Sequence, residues 1–591
     1  MCGIFGYVGF KSNAAQIALE GLKLLEYRGY DSWGVAVKLG KKLVVEKHIG
    51  KITLAKTELP KSSLGIGHTR WATHGGVTIT NAHPHLDCSG EIAVVHNGIV
   101  ENFEDLKHEL VAKGHDFKSG TDTEVIAHLI EDYIGKERSL QGFASSVRDA
   151  FNRLKGLSAI VVAYAPSSEI IAVKTGSPLV VGVLKNELFV ASDASAIVQH
   201  TKKVLFLEDR QMVILGKKLQ LLRLPEGKQI IPIFHTINWE FAKAQKGKHK
   251  HFLLKEIHEQ PKVIENIALH YIEETQQLSK LITDAFGTFM LGCGSASYAA
   301  LAGTYLFSRI AKKHVNFSIG SEFTYLEDYL TPESLLIAIS QSGETIDVVE
   351  PVEKAKKKGS QIAALVNVLG STLYRQANHK ILLGAGVEKA VISTKSFIAM
   401  ISVLLLTAYT MAKRQNEAQE MLRLAANNIR LILQDSYVKH IKTLSKKLSR
   451  TQYVFVIGRG LSYAIALETT LKLKETSYTH AEGFAGGELK HGVIALIEKG
   501  TPCIVIAPQD ETYNEIISNA QQIKARGGYI VGIGSRKNDV FDLFFETADV
   551  GDATMLPQVV IAQLIAYYTA LAKGISDPDK PRNLAKSVTV K

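Results

Sequence analysis

Cysteine is scarce. Only four occur in 591 residues, Cys2, Cys88, Cys293 and Cys503, and no two stand at disulfide or metal-ligand spacing. That usage points to a reducing, cytoplasmic setting. Long apolar runs are missing as well. The two uncharged stretches, 396–412 and 555–572, carry Ser, Thr, Gln or Tyr within and are short for a bilayer span. They read as buried helices of a core or a dimer seam, so no membrane partner is expected. A secretory leader is not expected either, because the glycine-broken start lacks an apolar h-region and cleavage would discard Cys2. The net charge of +11 is dispersed, with one local concentration at Lys243, Lys246, Lys248, Lys250 and Lys255. No aromatic-plus-basic module accompanies it, so the excess reads as surface charge with affinity for small anions, and no nucleic acid is expected.

What is present begins at the first residues. In Met1-Cys2-Gly3-Ile4-Phe5-Gly6-Tyr7-Val8-Gly9, removal of Met1 makes Cys2 the first residue. Its sulfur then lies beside an α-amine of ordinary pKa roughly 7.7–8, which can take the thiol proton. The apolar residues around the glycines read as a short buried strand. Asn13 stands where it can cap a following helix. Up to about residue 215, strands predicted at 92–96, 159–164, 170–173, 179–184 and 188–191 enclose helices near 102–113, 122–135 and 139–154. The pattern predicts one layered α+β domain.

Polar clusters interrupt it at 67–75, 81–85, 95–98 and 120–124. The histidines invite a metal reading, but no acidic or cysteine partner has ligand spacing, so no metal is expected. An arginine fork suits an α-carboxylate and a carboxylate suits an ammonium. Arg70 and Asp122 therefore form a candidate clamp for an amino acid, with Asn97 and Gly98 as oxyanion donors.

A polar, basic stretch over 238–250 reads as a linker, and Pro261 marks the start of new helices. Beyond it the chain repeats itself. Phe289-Met290-Leu291-Gly292-Cys293-Gly294 returns as Phe455-Val456-Ile457-Gly458-Arg459-Gly460. The segment 336–345 is echoed by 503–512, and 363–368 by 529–534. Apolar strands alternating with helices predict two parallel α/β sheets. Ser297 and Tyr463 occupy the third glycine's place of a dinucleotide fingerprint, so a nicotinamide cofactor is not expected. Ser340-Gln341-Ser342-Gly343-Glu344-Thr345 follows a strand and opens a helix, where N–H groups and hydroxyls can converge on an anion. Its echo, Ala507-Pro508-Gln509-Asp510, has lost the hydroxyls and gained a carboxylate, so only the first copy is expected to bind phosphate. Glu468, Lys472 and Glu475 share one helix face, an acid/base set with an amine that suits aldose–ketose chemistry.

Together, Cys2-Gly3-Ile4-Phe5-Gly6, Arg70-Trp71, His96-Asn97-Gly98 and Thr121-Asp122-Thr123 resemble the class II glutamine amidotransferases. The second half resembles the sugar isomerase (SIS) domains of the glutamine–fructose-6-phosphate aminotransferase family, nearly end to end. The resemblance implies an N-terminal-nucleophile glutaminase domain over 2–237, a linker over 238–250, SIS domains over 251–425 and 426–575, and a catalytic tail over 576–591. It implies transfer of the glutamine amide nitrogen to fructose 6-phosphate, giving glucosamine 6-phosphate and glutamate without a cofactor, in a homodimer with an internal ammonia path. Cys2 would attack the amide. Arg70, Trp71, Thr73, His74, His83 and Asp122 would bind glutamine, with Trp71 also gating ammonia. Ser295, Ser340, Gln341, Ser342, Thr345, Val391 and Ala585 would bind the sugar phosphate. Glu475 would shuttle the proton between C1 and C2, His491 would help to open the ring, Lys472 would assist, and Lys586 would form the ketose imine. Three positions depart from the family pattern: Ala296 after Ser295, Trp33 after Tyr-Asp-Ser, and Lys591 at the end. Two rival readings are an amidotransferase acting on another ketose phosphate and a sugar-phosphate-binding regulator built on SIS domains.

Overall fold

The computed structural model describes residues 2–72, 74–134, 140–237 and 246–589. Two compact units emerge, one of Met1–Lys243 with Ala585–Lys591, the other of Ala244–Leu584.

In the first unit the strand Gly3–Gly9 is hydrogen-bonded between Glu187–Ala191 and Leu64–Arg70, in the interior of an eight-stranded antiparallel sheet. A seven-stranded antiparallel sheet carries Ile92–Gly98 beside Ser158–Tyr164. Side chains alternate across a strand, and here both faces are apolar. Ile4, Val8, Ala93, Val95, Ala159 and Val161 fill the space between the sheets. Phe5 and Tyr7 turn the other way, onto the helix Ala14–Leu24. Ile92, Val94, Ile160 and Val162 pack against Phe103–Ala112, Glu124–Ile134 and Leu140–Arg153. The result is helix, sheet, sheet, helix: the layered α+β domain that the pattern predicts.

Two local expectations change. Residues 67–70, read as the start of a polar cluster, belong to the strand Leu64–Arg70, which is buried along its whole length. Asn13 stands at the helix start, but its side chain makes no capping bond. The Ala14 N–H instead donates to the carbonyl of Ser62 at 2.9 Å.

The second unit holds two five-stranded sheets with the same strand order. The first runs Asn316–Ile319, Gly287–Gly292, Ser334–Ser340, Gln361–Val366, His379–Leu382. The second runs His480–Ala485, Tyr453–Gly458, Pro502–Ala507, Tyr529–Gly534, Leu543–Glu546. Every neighbouring pair is parallel. The apolar helices Lys395–Met411 and Met555–Ala572 lie inside the shared core. The second is long and apolar enough to cross a membrane by composition alone, yet it is buried in this unit.

Pro261 does not start a helix; it lies inside Phe252–His270. The true start is set from far along the chain. Asp579 accepts hydrogen bonds from the N–H groups of Phe252 (2.8 Å) and Leu253 (2.7 Å), satisfying donors that a helix's first turn leaves open.

Candidate active sites

In the first unit, Cys2 sits at the mouth of its strand and is half-buried. Two side chains pin its backbone carbonyl: Arg28 Nε donates at 3.1 Å and Asn97 Nδ2 at 2.9 Å. The Trp71 N–H approaches Cys2 Sγ at 3.3 Å. The sulfur therefore has a fixed backbone position and a donor facing it. Asn97 is itself oriented by His68, whose Nε2 lies 3.1 Å from Oδ1. Gly98 has φ +150°, and a Cβ there would fall 2.1 Å from the Leu157 carbonyl oxygen, so no other residue fits.

Arg70 is buried at the end of its strand, and its guanidinium donates to the carbonyls of His74, Gly75 (3.2 Å) and Gly76 (3.1 Å). Burial lowers its pKa, while the nearby charges of Cys2, Asp122 and Asp31 pull it back up. Asp122 is buried, with Oδ2 accepting the Val100 N–H at 2.7 Å. The structure thus brings Cys2, Arg70 and Asp122 into one electrostatic neighbourhood and joins Asn97 to the nucleophile's backbone. The His74 ring meets Phe103 edge-on with centroids 4.8 Å apart. Thr73 lies outside the described residues.

His83 occupies a different setting from a surface clamp. It stacks on His68 at 4.2 Å, meets His85 at 4.7 Å, and its Nδ1 faces the His96 N–H at 3.4 Å. His96 in turn bridges Thr123 (2.9 Å) and Ser158 (3.1 Å). All four imidazoles are buried and held below their ordinary pKa by desolvation, His68 at about 3. They form a group of buried imidazoles linked to Cys2 through His68, Asn97 and the Cys2 carbonyl. Sequence reasoning missed Arg28 and Asp31, whose Oδ2 accepts the Ala72 N–H at 2.9 Å. Their signal was charge placed next to buried strand residues.

In the second unit, the loop after Ser334–Ser340 brings three hydroxyls together. Ser340 Oγ lies 3.1 Å from Thr345 Oγ1 and 3.5 Å from Ser342 Oγ. The loop turns at Gly343, φ +66°, where a Cβ would strike Ser371. Glu344 locks it by accepting the Thr372 N–H at 2.9 Å. Thr345 then opens the helix Ile346–Lys357 and makes no side-chain capping bond of its own, an arrangement able to offer N–H groups to an anion. In the echo, Asp510 Oδ1 takes both the Thr512 N–H (2.9 Å) and its hydroxyl (2.6 Å). A carboxylate of the chain itself fills that turn.

The helix Leu461–Ser477 carries the acid/base group. Lys472 Nζ donates to Glu475 (2.6 Å) and to Ser295 Oγ (3.0 Å), and lies 3.3 Å from Glu468. Ser295 Oγ also meets Glu468 at 3.2 Å, which joins the two repeats at this point. Lys472 and Glu468 are fully buried. Burial opposes the lysine's charge, but Glu468 and Glu475 outweigh it and raise its pKa above the ordinary value. Burial pushes Glu468 up to about 7. Glu468, which the family resemblance gives no role, is placed beside Lys472 as the helical spacing predicts. The Val391 N–H donates to the Asp579 carbonyl at 2.9 Å, whereas His491 is exposed on the turn Gly486–His491. Ala585 and Lys586 are half-buried and group with the first unit.

Residues 68–199 match the glutamine amidotransferase domain family, and residues 281–409 and 447–572 match the SIS domain family. The chain is 42% identical to a glutamine–fructose-6-phosphate aminotransferase (isomerizing) from Pyrococcus horikoshii, over all of both chains. Identity is 41% to one from Thermococcus kodakarensis and 40% to one from Thermus thermophilus, again over the full length of each. Among solved structures, the C-terminal domain of glucosamine-fructose-6-phosphate aminotransferase from Francisella tularensis is similar, with 31% identity and a TM-score of 0.51. It spans 56% of this chain and 99% of its own.

Two expectations follow. The unfolded chain protonates its histidines below about pH 6.5, while the buried four resist protonation to much lower pH. The folded unit then binds fewer protons than the unfolded chain. Its stability is complete above about pH 6.5 and falls as pH drops, by about 1.4 kcal/mol per pH unit for each histidine. Trp33 and Trp71 belong to the first unit, so denaturant unfolding followed by tryptophan fluorescence reports on it. His83→Gln is expected to make that slope shallower. For the phosphate loops, Ser342→Ala and Thr345→Ala each weaken fructose 6-phosphate binding by about 1.5–3 kcal/mol in calorimetry. Thr512→Ala, whose hydroxyl serves Asp510, leaves binding nearly unchanged.

Proposed function

The chain belongs to the glutamine–fructose-6-phosphate aminotransferase (isomerizing) family, and from that premise we propose how its residues divide the reaction. Once Met1 is removed, the α-amine takes the Cys2 proton and the thiolate attacks the glutamine amide carbon. Asn97 and the Gly98 N–H stabilise the oxyanion, and collapse releases ammonia and a thioester that water hydrolyses to glutamate. Arg70 and Asp122 hold the α-carboxylate and α-ammonium, with His74 lining the same pocket. The interlocked His68 and His83 keep Asn97 in register. Trp71, whose N–H already faces the sulfur at 3.3 Å, gates an internal path for ammonia.

At the sugar site, Ser340, Gln341, Ser342 and Thr345 hold the phosphate, while Ser295 and the backbones of Val391 and Ala585 line the sugar. Lys586 condenses with C2 of the ketose, losing water; ammonia then displaces the lysine by exchange at the same carbon. His491 assists ring opening. Glu475 removes a proton from C1 and returns it to C2, converting the ketose imine into the 2-amino aldose. Lys472 orients Glu475, and Glu468 neutralises the lysine from its other side. A homodimer is the assembly that SIS architecture implies, and the four unpaired cysteines fit a reducing cytoplasm.

The observation that carries this reading is the buried Glu468–Lys472 pair with the half-buried Glu475 at its edge, joined to Ser295. Ionisable groups are costly to bury in a core. A module that only binds a sugar phosphate has no use for them, whereas proton transfer between adjacent carbons does. The direct test supplies glutamine labelled at its amide nitrogen together with fructose 6-phosphate. Mass spectrometry is expected to find the label in glucosamine 6-phosphate; label remaining in free ammonia while the ketose is unchanged contradicts the reading. Cys2→Ala is expected to abolish glutamine hydrolysis with sugar-phosphate binding intact. Lys586→Arg keeps a cation but cannot form an imine. It is expected to bind the sugar phosphate and make no amino sugar, and near-normal synthesis by it rules out the imine.

A further inference from the structure

Away from Cys2, the first unit gathers four metal-ligating side chains from three segments. Cys88 lies on the turn between the strands His85–Leu86 and Ile92–Gly98. His115 follows the helix Phe103–Ala112, while His128 and Glu131 stand at i and i+3 on one face of Glu124–Ile134. One ligand atom from each falls within 4.8 Å of all the others. Cys88 Sγ lies 3.7 Å from His115 Nδ1 and 3.4 Å from His128 Nδ1. Glu131 Oε2 lies 3.1 Å from His115 Nδ1 and 3.4 Å from His128 Nδ1. Bonds of about 2.0–2.3 Å to a tetrahedral ion separate its ligands by about 3.3–3.7 Å. Spacing along the chain had argued against metal; folding erases that spacing.

We propose that Cys88, His115, His128 and Glu131 form a structural zinc site. One thiolate, two imidazoles and one carboxylate are a donor set of borderline softness that suits Zn²⁺ and disfavours Mg²⁺ or Ca²⁺. Four protein ligands leave no open position for chemistry, so the role is structural. Their surroundings are ordered as a ligand set requires. The Asp116 N–H donates to Cys88 Sγ at 3.5 Å, and the N–H groups of Cys88 and Ser89 donate to Glu131 at 3.1 and 3.3 Å. His128 is 1% exposed; with Nδ1 turned into the cluster, its Nε2 has no hydrogen-bond partner and faces the Glu124 carboxylate at 3.7 Å. A metal on Nδ1 puts the imidazole proton on Nε2, aimed at that carboxylate, the usual outer partner of a metal-bound histidine. Binding expels the Cys88 thiol proton to solvent.

The consequence reaches the glutaminase site. Thr121, Asp122 and Thr123 lie between the ligands His115 and His128, so the metal ties both ends of the segment that carries Asp122. This consequence rests on Asp122 holding glutamine; the metal site itself does not.

The test uses the full chain with Cys2→Ala, which removes the N-terminal aminothiol as a competing chelator. Elemental analysis after dialysis is expected to find one zinc per chain. Cobalt(II) in its place is expected to show thiolate charge-transfer absorption and the intense visible bands of a tetrahedral ion. Adding Cys88→Ser abolishes the charge-transfer band and lowers zinc content to a small fraction. The half-buried His115→Asn lowers zinc content independently, and Glu124→Gln weakens zinc binding about 10–100-fold. No retained zinc and no saturable uptake of added Zn²⁺ by the folded chain overturns the site, as does undiminished zinc in both Cys88→Ser and His115→Asn. With Cys2 intact, stripping the metal is expected to raise KM for glutamine several-fold more than it lowers kcat. An unchanged KM overturns the link to Asp122 while the zinc content still decides the site.

Discussion

The first unit depends on where the Cys2 carbonyl is held. A residue at a chain end ordinarily has more freedom than any other. Here it is the first link of a strand buried on both faces, and Arg28 and Asn97 both donate to its carbonyl. The two apolar faces of Gly3–Gly9 make slippage costly, because a shift of one residue would send Ile4 and Val8 into the helix layer and Phe5 into the space between sheets. Position is thus imposed on the nucleophile by core packing and register rather than by local contacts of the thiol. The buried histidines complete the same scheme: the His96 ring is held by Ser158 and Thr123, and its backbone carbonyl and Asn97 Oδ1 both lie within hydrogen-bond reach of His68 Nε2.

The second unit shows how duplication makes an asymmetric site. Both sheets have one strand order, and both place a positive-φ glycine before a helix, Gly294 at +56° and Gly460 at +55°. The copies then diverge at the same structural positions. One turn keeps three hydroxyls for an anion; in the other, Asp510 satisfies the turn from within. The acid/base residues follow the opposite distribution, with Glu468, Lys472 and Glu475 on the second copy's helix and Ser295 supplied by the first. Burying Lys472 between two carboxylates is favourable only because each of its charges and donors finds a partner.

Much of this was legible along the chain. The alternation of apolar residues marked the strands, the repeat of 289–294 at 455–460 marked two like sheets, and Ser340 to Thr345 marked a turn where hydroxyls converge, since each depends on neighbours within a few residues. Other features were hidden for one shared reason. The start of the helix at Phe252 is set by Asp579, more than 300 positions away, so Pro261 misled. Leu64–Arg70 looked polar because its histidine, threonine and arginine are buried by partners from other strands.

The sequence by itself determined the layered first unit and the paired sheets, and it marked Cys2 and the Ser340–Thr345 loop as candidates, because periodicity and short motifs act through local backbone geometry. Only the tertiary structure decided that His83 belongs to a stack, that Glu468 shares Lys472 with Glu475 and Ser295, and that Cys88 meets His115, His128 and Glu131. Helical spacing sets Glu468 beside Lys472 and His128 beside Glu131, but the partners from other elements, such as Ser295, Cys88 and His115, lie at chain separations that carry no information about distance in space, and packing of the completed core brings them in.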